Sequence, residues 1–367
     1  MAETYKIATF NAENLFSRAR VFNFDDRTKG DEILARVDEL GSELEKKVYN
    51  AEKILDLYNG LKKFIQINEI RDKLFQRRKY KIIGVKAKGK DDWGGFITFK
   101  TDDFTEITRK NTAKVINSVR ADILSLIEVE SKPTLDEFNS QLIKKKYPYT
   151  MLIDAFDPRG IDVSLLSRFN ILDIKTHMFD KDGGRSRIFS RDCLEVKINL
   201  AGKDADDDII YLFINHFKSQ GGGSKETNDK RRLRQVQKVH DIIIEERKLN
   251  LKKDKVVVLG DFNAPPDSSS LSPLINLDGL QDVLALKIAN PEDRWTYHYD
   301  ENQQLDYILI SEPLQKACKN AGVELRGIFD VEKYSDGKVI AWPEVQDNGI
   351  TASASDHGAV WAEFEKG

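Results

Sequence analysis

Cysteine is scarce in this chain, with only Cys193 and Cys318 among 367 residues. Two thiols cannot build the multi-bridge framework of a small secreted domain, and neither sits in a CxxC spacing suited to zinc or redox work. Both are expected to be buried and free. Long apolar runs are missing too: no stretch approaches the roughly 20 residues that a membrane-spanning helix needs. The amino terminus runs into Ile7 to Phe10 with no basic segment followed by a long apolar one, so no signal peptide is read. A cytoplasmic protein without a membrane partner is the expectation. Excess positive charge is the third absence. Lys and Arg total 58 against 61 Asp and Glu, a net charge of -3, so any phosphate-binding surface has to be local.

What is present is enough for a full core. With 40% hydrophobic residues, the chain suits one large domain or two modest ones. Short β-branched runs recur at Ile123–Ile127, Val163–Leu166, Ile209–Ile214, Val256–Leu259, Tyr307–Ile310 and Ala359–Phe364, and these predict buried strands. Between them, Asn111–Val119 and Asp229–Arg247 are amphipathic, the second with Leu233, Val236, Val239, Ile242 and Ile243 at helical spacing. Sheets covered by helices follow, hence an α/β class. From Asp31 to Arg78, apolar residues recur every three or four positions amid dense charge, which predicts a long helix or helical hairpin broken at Asn59-Gly60. That segment reads as a helical insertion, residues 31–78, within a single domain spanning 1–367.

Polar residues interrupt the apolar runs at six places: Asn11 to Asn14, Glu128 to Glu130, Asn215-His216, Asp261 to Asn263, Asp306, and Asp356-His357. All but Asp306, which precedes its strand, fall at a strand end or just past it, where an α/β scaffold presents catalytic groups. The residue types suit phosphodiester hydrolysis, which needs a cation, an attacking water and donors for the nonbridging oxygens. Carboxylates without cysteine favour Mg²⁺ or Mn²⁺, with Ca²⁺ a further choice. Glu128 is the first metal-ligand candidate, followed by Asn11 and Asp356. Asp261 would orient or deprotonate the water, and Asn263 would donate to the phosphate. Asp306 would pair with His357, fixing its tautomer and favouring its protonated form. Taken singly, each of these residues reads more readily as a turn or cap than as a catalytic group. His177, His240 and His298 are read as surface or satisfied histidines.

Together the residues resemble the endonuclease/exonuclease/phosphatase superfamily, which includes the DNase I-like nucleases, and its bacterial nuclease-like branch in particular. Phe10-Asn11 with Glu13, Ile127-Glu128-Val129, Asn215-His216, Gly260-Asp261-Phe262-Asn263, Leu305-Asp306-Tyr307 and Ser355-Asp356-His357 look like its motifs, in its order. The resemblance implies a four-layered α/β sandwich, two mixed sheets face to face with helices outside, and metal-assisted in-line hydrolysis. It also adds His216 as a second candidate acid or base near the scissile phosphate. Arg159-Gly160-Ile161-Asp162 is similar to a stretch of the bacterial members in which polar groups approach the phosphate, although a turn at a strand start explains Asp162 as well.

Substrate class is open among three phosphate esters. Basic clusters favour nucleic acid, with DNA the first choice and RNA the second. Lys218, Gly221–Ser224 and then Lys230, Arg231, Arg232, Arg234 and Lys238 could bring phosphate contacts beside His216. A solvated helix face explains the same charges. Trp93, after a lysine-rich stretch, is a candidate for base stacking or for ordinary packing. Inositol phosphates and sphingomyelin are the alternatives, acted on by a phosphatase or a phospholipase C-like hydrolase. A non-catalytic binding protein is the reading furthest from the motifs. The helical insertion could gate the cleft or recruit a protein partner.

Overall fold

Buried β-branched runs set the main sheets. The computed structural model describes residues 3–17, 19–22, 27–101, 106–184, 186–201 and 208–366. The chain divides into two compact units, one made of residues 1–16 and 104–367, the other of residues 17–103. Strand β1 (Thr4–Leu15) opens the first. The second follows, with helices α1 (Arg27–Leu44) and α2 (Ala51–Leu61) and strands β2 (Ile65–Arg71), β3 (Phe75–Arg78), β4 (Lys81–Val85) and β5 (Gly94–Phe99). The chain returns to the first unit through α3 (Ile107–Val119), β6 (Ile123–Val129), α4 (Lys132–Leu142), β7 (Tyr149–Leu152), β8 (Asp162–Ser167), β9 (Asn170–Thr176) and β10 (Cys193–Asn199). Next come β11 (Ile209–His216), α5 (Lys225–Asp241), β12 (Lys255–Asp261), β13 (Leu280–Asp282), β14 (Tyr297–His298) and β15 (Asn302–Gln303). Strands β16 (Asp306–Ser311), β17 (Cys318–Glu324) and β18 (Ala359–Glu365) complete it.

Two six-stranded sheets result, ordered β17-β18-β1-β6-β8-β7 and β13-β16-β12-β11-β10-β9. Each has one parallel pair near its centre, β1 with β6 and β11 with β12, and antiparallel neighbours outward. Their inner faces share one core, in which Ile7, Ile127 and Val163 meet Val196, Leu212 and Val257. Helices α3 and α4 cover the outer face of the first sheet through Val115, Ile116, Leu135 and Phe138. Helix α5 covers that of the second through Val236 and Val239. The four layers are the expected α/β sandwich, and all six apolar runs are strands. Ser224 caps α5 by accepting the Thr227 amide. Leu233 is exposed despite its apolar spacing. The helix instead buries Arg232, whose guanidinium meets Asp229 at 2.6 Å and the Lys218 carbonyl at 3.1 Å.

The second unit differs from a helical insertion. Only its first part is helical, and two two-stranded antiparallel sheets, β2 with β5 and the hairpin of β3 with β4, follow. Helix α2 runs through Asn59 and Gly60. The break falls earlier, where the Asn50 side chain accepts the Lys53 amide and caps α2. Leu40, Ile54, Leu61, Ile65 and Phe75 form a core within this unit, and Trp93 belongs to it, only 7% exposed, with its indole N–H donated to the Tyr49 hydroxyl at 2.6 Å. A buried indole already bonded within the core offers no face for stacking, which corrects the substrate role considered for Trp93. Both cysteines are buried and free. Among the described residues no helix is long and apolar enough to cross a membrane.

Candidate active site

The parallel strands β1, β6, β11 and β12 bring their ends to one pocket, and the antiparallel β16 and β18 begin beside it. Asn11, Glu128, His216 and Asp261 arrive by the first route, and Asp356-His357, just before β18, by the second. The pocket has a volume of about 630 Å³ and is also lined by Glu13, Arg159, Arg191, Asn263 and Tyr297.

Local irregularities aim these side chains. The pairing of β1 with β6 slips between Asn11 and Leu15, and that of β6 with β8 slips between Ile127 and Val129. At those bulges Glu13, Asn14 and Glu128 adopt left-handed backbone, with φ of 48°, 60° and 63°. Such conformations persist where the surroundings hold them. Here the Asn14 amide donates to Glu128 Oε2 at 3.2 Å, and the Asp356 amide donates to Glu13 Oε2 at 3.0 Å. Asn263, also left-handed at 55°, donates its backbone N–H to Asp261 Oδ1 at 2.8 Å and turns its side-chain amide to the Phe217 carbonyl at 3.3 Å.

Polar contacts then join the sheets. Asn11 Nδ2 donates to Asp261 Oδ2 at 3.1 Å. His216 Nε2 stands 3.5 Å from Asp261 Oδ2 and 3.7 Å from Glu128 Oε1, too far for good hydrogen bonds. His357 Nδ1 lies 2.7 Å from Asp306 Oδ2, which also accepts the Thr296 hydroxyl at 2.7 Å. Asp306 is wholly buried behind His357 and does not line the pocket.

The two histidines are driven apart electrostatically. Burial, joined by the Arg191, His357 and Arg159 cations, holds His216 well below its usual value, which favours its uncharged form. Burial also opposes a charge on His357, but the carboxylates of Asp306, Asp356 and Asp261 overcome it and hold that ring well above its usual value. Burial likewise pushes the Asp261 carboxyl up, against the pull of His357. Glu13 is raised by burial and by the charge of Asp356.

Two groups could hold a cation. One comprises the carboxylates of Glu13, Glu128 and Asp356 with the amide oxygen of Asn11, which also accepts the Glu13 N–H at 3.0 Å; all four residues line the pocket. The other is Asp261, Asp306 and His357, whose candidate ligand atoms lie within 4.8 Å of one another. In the second group Asp306 Oδ2 and His357 Nδ1 bond to each other and one donor is a nitrogen, whereas the first group offers oxygen alone, the donor type a hard cation prefers.

Besides Asp306, four sequence candidates lie outside this pocket. Asp162 is buried and accepts the Ala155 amide at 3.0 Å, closing the loop that carries Arg159, as its alternative turn reading has it. Lys218 and Arg231 line a neighbouring cavity, and Trp93 is in the second unit's core. Arg159 does line the pocket. Sequence reasoning missed Arg191. Its buried guanidinium donates to Asp157 Oδ2 at 2.8 Å and to the Phe217 carbonyl at 2.9 Å, and it lines the pocket beside His216. Asp157 also accepts Arg159 Nε and Nη2, both at 3.1 Å, so one carboxylate holds two cations. The signal for Arg191 is the polar Ser190-Arg191-Asp192 just ahead of a strand.

With fold and pocket in view, the comparisons agree. The pattern of the Endonuclease/Exonuclease/phosphatase family matches residues 87–366, and the chain belongs to that family. Its members are phosphoric ester hydrolases, typically dependent on a divalent metal. None of the curated proteins compared with the chain matches it significantly. Among solved structures, an endonuclease/exonuclease/phosphatase family protein from Bacteroides thetaiotaomicron is similar with a TM-score of 0.51 and 13% identity, over 99% of this chain and 98% of that one. Truncated TDP2 from Caenorhabditis elegans gives a TM-score of 0.49 at 18% identity, over 71% of this chain and 91% of that one. Beta toxin from Staphylococcus aureus gives 0.47 at 18%, over 70% and 93%.

Proposed function

We propose that the protein is a divalent-metal-dependent phosphodiesterase that hydrolyses nucleic acid, DNA by preference, through in-line attack of water. The observation that carries this reading is the hydrogen bond between Asn11 and Asp261, which brings the polar ends of both sheets into one pocket. Asn11, Glu128 and Asp356, joined by Glu13, would hold the cation. Their all-oxygen donor set fits Mg²⁺ or Mn²⁺, with Ca²⁺ a further choice. When bound, the ion would offset charge developing on the phosphoryl group.

The chain's own residues supply the rest. Asp261, oriented by Asn11 and by the Asn263 amide, positions the attacking water and accepts its proton. His357, kept protonated and aimed by Asp306, donates to a phosphate oxygen. His216, the second candidate acid or base, is held to its uncharged form by burial and the nearby cations, which leaves it a hydrogen-bond partner for water and a weak base. Asn263 would reach the phosphate only by leaving the Phe217 carbonyl. Arg159 and Arg191 add cations beside the reacting phosphate, where a polyanion gains most.

A panel of supercoiled, linear and single-stranded DNA, RNA, sphingomyelin and an inositol polyphosphate, each with Mg²⁺, Mn²⁺ or chelator, tests the reading. Cleavage of nucleic acid that stops with chelator and with His357→Ala is expected. Turnover of only the lipid or the inositol phosphate would replace the nuclease reading, and no turnover would end the enzymatic one.

A further inference from the structure

Beside the active pocket lies a cavity of about 590 Å³ whose wall, among the described residues, carries cations and no carboxylate. Lys181, Arg187, Lys218, Arg231 and Arg234 line it. Arg234 is paired with Asp182. Among the described residues the other four meet no carboxylate: Lys218 donates to the Ser219 and Gly221 carbonyls, and Arg187 lies 3.5 Å over the Phe156 ring. Charges crowded in this way repel one another until an anion joins them. The neighbouring helix positions contrast, since Lys230 pairs with Glu226, Arg232 with Asp229, and Lys238 with Glu246.

The cavity is continuous with the catalytic pocket along the chain. Ser190 and Lys218 line the cavity, while the next residues, Arg191 and Ser219, line the pocket. At the rim, Phe156 and Phe179 make an edge-to-face pair at 5.5 Å, and Phe179 is 63% exposed. Cations beside an exposed aromatic are what an unpaired nucleotide needs, because its base has a free face to stack. A base inside a duplex has none.

We infer that this cavity is a nucleotide subsite, binding the phosphate next to the scissile one through Lys218, Arg231 and Arg187 and stacking its unpaired base on Phe179. The inference rests on the nuclease reading and deepens it, since it gives the enzyme a preference for single strands.

The test compares wild type, Arg187→Ala/Arg231→Ala and Phe179→Ala on a single-stranded oligonucleotide, its duplex and bis(p-nitrophenyl) phosphate, which has no flanking phosphate. The double variant is expected to raise KM for the oligonucleotide at least tenfold. It should also flatten the salt dependence by roughly 1.4 log units per log unit, for two lost contacts. Phe179→Ala should lose about tenfold on the single strand and little on the duplex. Neither variant should change kcat/KM for the small diester. Variants that cut the oligonucleotide like wild type overturn the subsite and leave the nuclease standing, as does equal loss on the small diester. A variant impaired only in binding phosphatidylserine vesicles makes the cavity a lipid contact and overturns it too. A wild type that cuts the small diester but no nucleic acid ends both readings.

Discussion

Asn11, where the pairing of β1 begins to slip in one sheet, and Asp261, the last residue of β12 in the other, are joined by a 3.1 Å hydrogen bond across 250 residues of sequence. Both are buried, so the bond acts in a medium where losing one partner leaves the other uncompensated. Asn11→Ala is expected to destabilise the protein by about 1–3 kcal/mol. It should also lower kcat, because Asp261 loses the group that orients it. Urea unfolding alongside steady-state rates checks this, and a variant as active as wild type would remove Asn11 from the site.

Asp306 touches His357 but not the pocket. Asp306→Asn keeps the shape, yet its amide can present N–H to Nδ1 and stabilise the wrong tautomer. The expected result is a fall in kcat of roughly 10²–10⁴-fold with KM nearly unchanged. A loss confined to KM would show that Asp306 shapes binding instead.

Asp157 gives a pH-dependent prediction. Burial raises its carboxyl, but hydrogen bonds from Arg159 and Arg191 outweigh this and bring it from 3.8 to about 2. A folded-state value below the unfolded one means stability present above 3.8 and lost as pH falls through about 2. The gap in urea midpoint between wild type and Asp157→Asn should hold steady above about pH 5 and narrow on further acidification. A gap that widens there would mean that pairing of the ionised carboxylate is not its source.

These residues differ in how legible they were. Asp261, His216 and Glu128 close apolar runs, so both the strand and its polar end can be read from the chain. Arg191 and Arg159 precede antiparallel strands that start at the same edge, and strand direction leaves no mark in a local window. The bulge at Glu128 is equally silent, because its left-handed backbone is imposed by the Asn14 amide and the flanking strands rather than by a glycine. In the second unit the three-to-four-residue apolar spacing ends near Tyr58, while β2 carries Ile65 and Ile67 two residues apart, so a helical reading drawn from the first part overruns strands with a different period. Trp93 shows the same limit, since charged neighbours in sequence did not prevent its burial in space.

Gly260 is required by close backbone approach. Its φ is +129°, and a Cβ there would come within 1.9 Å of the Asn215 carbonyl oxygen. Since the obstacle is backbone, β12 must shift from β11, separating Asp261 from His216. Gly260→Ala is expected to cost about 3 kcal/mol or more and to abolish activity. A well-folded, active variant seen by thermal unfolding and turnover would show that the strands part without consequence.

Glu128 combines strain with charge, so function and stability should separate there. Its φ of 63° suits glycine, and it shares the pocket with Glu13 and Asp356. Glu128→Gly relieves both the backbone strain and the like-charge crowding, at the cost of a more flexible unfolded chain. Without metal, the variant is expected to be as stable as wild type or about 1 kcal/mol more so, with activity lost. Mg²⁺ or Mn²⁺ supplies the second reading, because an ion that binds only the folded state raises stability by about 2.7 kcal/mol at a hundred times its Kd. Wild type should show that rise in thermal midpoint, and Glu128→Gly should show little of it. Equal stabilisation of both proteins by metal would move the ion away from Glu128, and toward the buried Asp261, Asp306 and His357 group.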